Sequence, residues 1–322
     1  MRTTEGKKAF AVPPVLRVVV GRLFEALLVV LALATLVFHA LRLLPGDPAA
    51  LVLGDQSSEE ERAVLRAKLH LDESLWLQYA RFVKGLLTLD LGDSVRRPGT
   101  AAISRVLDAT GPTAELAALG VGMGAALGIT AAVLGAGPWL GTRRTWIDRA
   151  ATALAATPLL AFAPVLTFML AARLRVVPLP GDPDAGAAGL VFASGLLALP
   201  LAAHVARVSR AALDEVARAQ FLGVARAKGG GWARVLWLHA LPASVGPIVT
   251  VIGTQLGALL GGAVVLERLF ERRGLGTLIL EAYASRDLPV LEAAVVFSGA
   301  LFVGAQQLAA AVHAALDPRV RS

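Results

Sequence analysis

The stretch Ala114–Ala136, AELAALGVGMGAALGITAAVLGA, decides the fold class. Its one ionisable side chain, Glu115, stands next to its first residue. A run of about 20 predominantly apolar residues is long enough to cross a bilayer as an α-helix. Its residues are chiefly Ala, Leu, Val and Gly in a continuous run, not the alternating ten-residue segments of a membrane β-barrel. In lipid each backbone N–H and C=O must find a partner within the protein, which here means a helix. Gly120, Gly124 and Gly128 recur every four residues, a small-xxx-small face that lets another helix approach closely. Close packing accounts for that face without a channel.

The rest of the chain repeats the pattern. Of 322 residues, 56% are hydrophobic and 17% charged, and the mean hydropathy is +0.66. A soluble domain is about 45–50% apolar and about 25% charged. The surplus falls in helix-length runs, so the expected fold class is all-α, a polytopic membrane protein. Six spans are predicted: Phe24–Leu44, Ala114–Ala136, Ala150–Leu174 with Pro158 and Pro164 inside, Ala187–Val208, Ser244–Leu266 and Leu291–Leu316. There is no cysteine, which excludes disulfides and thiolate metal sites. The net charge of +7 would suggest nucleic acid on a soluble protein. On a membrane protein basic cytoplasmic loops explain it, and no nucleic-acid partner is expected.

The N-terminus, MRTTEGKKAFAVPPVLRVVVGR, is basic and leads into an apolar run that ends in RLLPGDP rather than an Ala-x-Ala cleavage site. It reads as a retained first span. With the N-terminus inside, the inside segments 1–23, 138–149, 207–239 and 317–322 are rich in Lys and Arg and poor in acids. The outside segments 45–113, 175–186 and 267–290 also carry acids, among them Asp55, Glu59, Glu60, Glu61, Asp72, Glu73, Asp90 and Asp93. Both termini are therefore expected in the cytoplasm.

Segment 45–113 reads as a small helical external domain. Ser58 and Glu61 form a capping-box pattern with acids in the first turn. Leu75, Trp76, Tyr79, Phe82, Val83, Leu86 and Leu87 then recur at helical spacing. Such an amphipathic helix packs on the membrane surface, on the protein's own spans, or in an outer vestibule. The expected organisation is residues 1–44 as N-terminus and first span, 45–113 as the external insertion, and 114–322 as a five-helix core with a cytoplasmic loop at 209–242.

Ionisable residues near or within spans, His39, Arg42, Glu115, Arg173, His204 and His313, are candidates for function or for pairing at the interface. No two carboxylates face each other within one span, which gives a proton-coupled carrier little support. No His-Glu-x-x-His motif or Cys/His cluster suggests a metal site. An intramembrane serine protease would need a nucleophile and a His. Ser194-Gly195, Ser298-Gly299, His204 and His313 exist, but Phe192 and Val296 stand where a Gly-x-Ser-Gly pattern needs glycine. ARAKGGG lacks the Gly-x-x-x-x-Gly-Lys-Ser/Thr phosphate loop and follows no predicted strand.

The segment between the fourth and fifth predicted spans, QFLGVARAKGGGWARVLWLHALP (Gln220–Pro242), is of a different kind. A helix is predicted over Leu213–Lys228, with Asp214 capping its start and Arg226 and Lys228 in its last turn. Gly229 supplies a left-handed stop, and Gly230 and Gly231 allow a sharp turn. A second helix begins near Trp232 and leads through Trp237 into the fifth span.

These residues resemble the permease subunits of ATP-binding-cassette importers, in the dipeptide/oligopeptide/nickel branch. That family carries a cytoplasmic signature, E-A-A-x-x-x-G, nine residues, then I-x-L-P. Here Gly229 stands at the Gly and Ala225 at the last Ala, with Gly223 and Val224 in place of Glu-Ala. His239-Ala240-Leu241-Pro242 follow at the right distance, and ARAKG and HAL match the branch's usual wording. RLLPGDP (42–48), LDESLWLQYARFVKGLLTLDLGDS (71–94), VTVIGTQLGALLGGAVVLERLF (249–270), GLGTLI (274–279), RDLPV (286–290) and LDPRVR (316–321) are similar to the branch as well. Arg273 replaces a usual Pro, and 114–208 agree only in span number and composition.

The resemblance implies a six-helix permease of type I importer architecture in a bacterial or archaeal inner membrane. It would form half of a translocation pathway with a second, similar permease. Two cytoplasmic ATPase subunits would dock on the coupling helices, and an external binding protein would deliver cargo. ATP and Mg would be bound by the ATPases, with no cofactor and no catalysis in this chain. The coupling residues implied are Phe221, Gly223, Ala225, Arg226, Ala227, Lys228, Gly229, Leu241 and Pro242. Thr250, Gln255 and Glu267 in the fifth span are candidates for the substrate path, with interhelical hydrogen bonding as the alternative reading. A secondary transporter or channel working without ATPases is the competing function, and it has no reason to keep the 213–242 element.

Overall fold

The computed structural model describes residues 14–43, 47–54, 57–136 and 143–316. The helices in chain order are α1 (Pro14–Arg42), α2 (Pro48–Leu53), α3 (Glu59–Lys68), α4 (Leu75–Thr88), α5 (Ala102–Ala136), α6 (Arg143–Ala156) and α7 (Leu159–Thr167). They continue as α8 (Gly186–Val216), α9 (Gln220–Ala227), α10 (Trp232–Val235), α11 (Leu241–Ala243), α12 (Val245–Leu269), α13 (Leu275–Ala284) and α14 (Leu288–Leu316). Wide π-type turns at Phe168–Arg173 and Leu236–Ala240 extend α7 and join α10 to α11. Among the described residues the only extended pairing is a single bridge, Asp93–Ala101. The chain is all-α, as its composition demands. The N-terminal residues 1–13, the basic loop at 137–142 and most of LDPRVR lie outside the described residues.

Helices α1 (from Val20), α5, α8, α12 and α14 are each long and apolar enough to cross a membrane. The predicted third span is not one straight helix. It is the pair Thr145–Ala156 and Leu159–Arg173, bent by 107°. The break falls at Thr157-Pro158, where proline lacks the N–H a continuing helix needs and biases the residue before it away from helical geometry. Pro200, by contrast, is absorbed inside α8.

The glycine face of α5 packs as its spacing foretold. A Cβ at Gly120 would lie 2.9 Å from Leu197, one at Gly124 2.8 Å from Leu201, and one at Gly128 2.6 Å from Val205. Each glycine receives one large residue of α8, four apart on both helices, so the two backbones approach as closely as the side chains of α8 allow. Leu197, Leu201 and Val205 continue into a core with Ile248, Leu259 and Leu266 of α12 and Ala163 of α7.

Helix α5 extends well beyond its predicted span. Helix α5 begins at Ala102 rather than near Ala114 and runs through Pro112. At about 1.5 Å per residue its 35 residues reach about 52 Å, more than a bilayer core of about 30 Å. Its first turns, Ala102, Val106 and Ala109, pack with Leu275, Leu278 and Ala282 of α13 and Val290 and Ala294 of α14. Helix α13 is a ten-residue apolar element, too short to span a membrane, whose first turn is buried.

The α2–α4 unit follows its capping signals. Ser58 and Glu61 exchange the two capping-box bonds, 3.2 Å and 2.9 Å. Asp47 caps α2 through the Ala49 N–H at 3.1 Å and receives Arg66 Nε and Nη2 at 3.0 and 2.5 Å. The Arg66 hydrogen bonds hold the Asp47 carboxyl below the ordinary carboxylate range. Helix α4 seats Tyr79 and Phe82 on Phe38 of α1.

Candidate coupling surface and translocation face

Three spans converge on one short helix. Ala132 and Val133 at the end of α5, Leu213 at the end of α8, and Val235, Leu236 and Ala240 leading into α12 form one apolar cluster, and Leu222 of α9 fills it. Leu222 is 2% exposed. The single helix expected over Leu213–Lys228 is in fact two. Helix α8 carries on to Val216, the chain turns at Ala217–Ala219, and α9 begins at Gln220. Asp214 is therefore not an N-cap: it lies in the last turns of α8, 3.3 Å from Arg210 Nε, and α9 starts without a side-chain cap. With eight residues, α9 is about 12 Å long.

The stop of α9 is as its glycines require. Gly229 has φ +83°, its N–H bonds to the Arg226 carbonyl at 2.9 Å, and the Gly230 N–H bonds back to Ala225 at 3.2 Å. These are the paired bonds of a Schellman motif, which satisfy the last carbonyls of the helix. Gly230 is needed for space: a Cβ there would stand 2.8 Å from the Ala225 carbonyl and 3.0 Å from Val235.

The predicted coupling residues divide by face. Ala225 and Leu241 pack against the inner cluster. Phe221, Gly223, Arg226, Ala227 and Lys228 are exposed, with Val224 beside them. Phe221 and Val224 are 47% and 55% exposed, apolar groups that a solvent-facing helix has no need of. Pro242 sits in the first turn of α11, where its missing N–H is no loss.

The three path candidates do not share a face. At about 100° per residue, Thr250 and Gln255 stand about 140° apart around α12. Thr250 is exposed, donates to the Gly246 carbonyl at 3.0 Å and lies 3.3 Å from His313 Nδ1. Gln255 is half-buried. Glu267 is fully buried. Its carboxylate accepts from Thr113 Oγ1 of α5 at 2.5 Å and from the Thr277 N–H at 3.0 Å, while Thr113 Oγ1 accepts from the Leu275 N–H at 2.8 Å. Glu267 and Thr113 thus cap the N-terminus of α13, where an anion also suits the helix dipole. Gly274 leaves the room: a Cβ there would collide with the Glu267 carboxylate.

At this same end of α5, further polar groups join distant segments. Asp287, fully buried, accepts from Ser94 Oγ, from the Val95 N–H at 3.1 Å and from Arg105 Nη1 at 3.3 Å. Arg42 pairs with Glu292 at 2.7 Å, bonds Gln78 at 3.0 Å and lies over the Phe38 ring. Glu292 escaped the sequence reading although it stands one residue inside the sixth predicted span. The motifs RLLPGDP, LGDS, LERLF, GLGTLI and RDLPV each contribute to these clamps.

Of the remaining ionisable candidates, the two histidines bond within their own helices and Glu115 pairs across helices. His39 and His204 Nδ1 lie 2.8 Å from the carbonyls of Thr35 and Pro200, and Glu115 pairs with Arg272 at 3.2 Å. Arg173 is exposed at the end of the π-type turn. Among the described residues, no hydrogen bond joins Ser194 or Ser298 to a histidine, and no three His, Asp or Glu converge on a metal position.

Five straight spans, a bent sixth, and a helix–glycine–helix element seated under three of them define a multi-span transport protein. Comparison with known proteins gives the family. Residues 124–322 match the family of binding-protein-dependent transport system inner membrane components, and residues 15–98 match that family's N-terminal region. A putative peptide transport system permease protein of Brucella abortus is 33% identical over 316 residues, covering 94% of this chain and 98% of the relative. The glutathione transport system permease protein GsiC of Salmonella paratyphi A is 34% identical over 312 residues, 95% and 99% of the two chains. The chain belongs to the binding-protein-dependent transport permease family and is a membrane permease subunit of an ATP-binding-cassette importer. A secondary carrier or channel is not favoured.

Proposed function

We propose that α9 is this permease's coupling helix, the surface on which an ATPase subunit docks. The observation that carries it is the division of α9 into a sealed inner face and an exposed apolar outer one. Leu222 and Ala225 lock the helix into the ends of α5, α8 and the α12 lead-in, so displacement of α9 moves three spans together. Phe221 and Val224, ringed by Arg226 and Lys228, offer an apolar centre with a cationic rim to a partner. A secondary carrier has no use for either face.

In this reading the α9 end of the bundle lies in the cytoplasm with both termini, and the α2–α4 unit lies outside a bacterial or archaeal cell membrane. Two ATPases bind ATP and Mg, a second homologous permease supplies the other half of the pathway, and an external binding protein delivers cargo. This chain holds no cofactor and performs no chemistry. The relatives' names support short peptides or peptide-like solutes as cargo. Exposed Thr250 is the path candidate that remains on α12, and Glu267 acts on the pathway through the position of α13.

The test is the double variant Phe221→Asp, Val224→Asp. Both side chains are exposed, so insertion and folding are retained, while co-purification of the ATPases and ATP-dependent uptake are lost. Normal ATPase recovery with this variant would refute the docking surface.

A further inference from the structure

Helix α4 has three flanks, and only two are occupied. Gln78, Phe82 and Gly85 are buried against the protein. Arg81, Lys84 and Thr88 line a cavity of about 440 Å³ that also touches Arg42 and Glu292. The third flank carries Trp76, Ala80 and Leu87 along one stripe of the helix, with half-buried Val83 at its inner edge against the α1 cluster. Trp76 and Leu87 on it are 76% and 78% exposed.

The seat of α4 decides what covers that flank. Tyr79 OH lies 2.8 Å from Thr35 Oγ1 of α1. Thr35 is seven residues before Arg42, so the contact lies about 10 Å inside the end of a membrane span. Leu28, Leu31, Leu36 and His39 of α1 form a shallow groove with Tyr79, about 590 Å³ in volume. Leu28 and Leu36 are 48% and 65% exposed on the surface of that span. The free flank of α4 therefore continues the exposed apolar surface of a membrane span. Trp76, Tyr79 and His39 gather their rings at one level, with centroids 6.1 and 5.8 Å apart, as amphipathic rings do at a membrane interface. Arg81 and Lys84 take the other flank, the polarity of a helix lying in the interface plane.

We propose that α4 is an interfacial helix seated in the near leaflet of the bilayer. Acyl chains of phospholipid fill the groove between α1 and α4, the Trp76 indole lies at headgroup level, and Leu87 enters the lipid beside it. The α2–α4 unit is then held against the membrane rather than projecting from it.

The chain has no cysteine, so one spin label can be placed cleanly at a chosen position. Full-length protein, with the subunits that co-purify with it, is reconstituted in phosphatidylcholine–phosphatidylglycerol liposomes as W76C, L87C or K84C. Collisions of the label with oxygen, enriched in lipid, are compared with collisions with a water-soluble nickel chelate. The expected result is an oxygen-to-nickel ratio several-fold higher at W76C and L87C than at K84C. Equal ratios at all three positions overturn the proposal in favour of a solvent-facing helix. Loss of both kinds of collision at W76C and L87C also overturns it, by showing a protein partner there. Lipids with brominated chains provide a check that keeps the indole: quenching present in wild type and diminished in Trp76→Phe supports the seat, and identical quenching in the two refutes it.

Discussion

Replacing Gly229 separates backbone geometry from every other effect at the proposed coupling element. A Cβ at this position meets nothing within 4 Å, so Ala and Asn cause no clash. What they meet is the backbone, since φ is +83°. An ordinary L-residue held there costs about 1–2 kcal/mol, and Asn, which tolerates the left-handed region, costs less. A penalty of about 1 kcal/mol lowers the population of the native turn relative to its alternatives about fivefold. Proline is a different case. It fixes φ near about −65° and deletes the N–H. Here that N–H is bonded to the Arg226 carbonyl, so the chain leaves α9 in another direction and α10 can no longer close over Leu222. Uptake in proteoliposomes, with ATPase co-purification and membrane insertion measured on the same preparations, should fall in the order Gly, Asn, Ala, Pro. Gly229→Pro should insert and fail to transport. Wild-type uptake by Gly229→Pro, or Ala ranking above Asn, would refute the argument that the left-handed stop sets the angle between α9 and the α12 lead-in.

Two further outcomes concern the opposite end of the bundle. Asp287→Ala leaves Arg105 without its carboxylate and the Val95 N–H unpaired, a loss of about 3–5 kcal/mol for a broken buried pair; Asp287→Asn retains an acceptor and loses less, which ranked thermal unfolding in detergent will show. Because Arg66 depresses the Asp47 pKa, the stabilisation that pair gives is present above the ordinary carboxylate range and is lost only as pH falls through the lower folded value. Amide protection of α2 should therefore survive moderate acid in wild type and fail at higher pH in Arg66→Gln, as hydrogen exchange across a pH series will measure.

Much of this was legible beforehand because it is local. The capping box at Ser58, the left-handed stop at Gly229 and the glycine stripe of α5 depend on residues one or two turns apart, and each formed as its spacing predicts. The misreadings share one cause: apolar-run length does not say where a helix ends. The long helix α5 absorbs Pro112 and α8 absorbs Pro200, while Thr157-Pro158 breaks the third span. Asp214 looked like a cap only because α8 was ended too early. Glu267 shows the same limit: it is a polar residue in a span by sequence but a cap for α13 in space.

The class of the protein followed from the chain alone. Runs of about 20 apolar residues must become helices in lipid, and the helix–glycine–helix element between two of them carries the resemblance to importer permeases. Pairings over long separations needed the tertiary structure. Ser94 meets Asp287, Thr113 meets Glu267 and Arg42 meets Glu292 across 154 to 250 residues of chain. No local pattern encodes such a contact, because it exists only when packing brings the segments together and withdraws both groups from water. The same packing sealed Leu222 beneath three spans and left Phe221 and Val224 uncovered, and thereby gave α9 an inside and an outside.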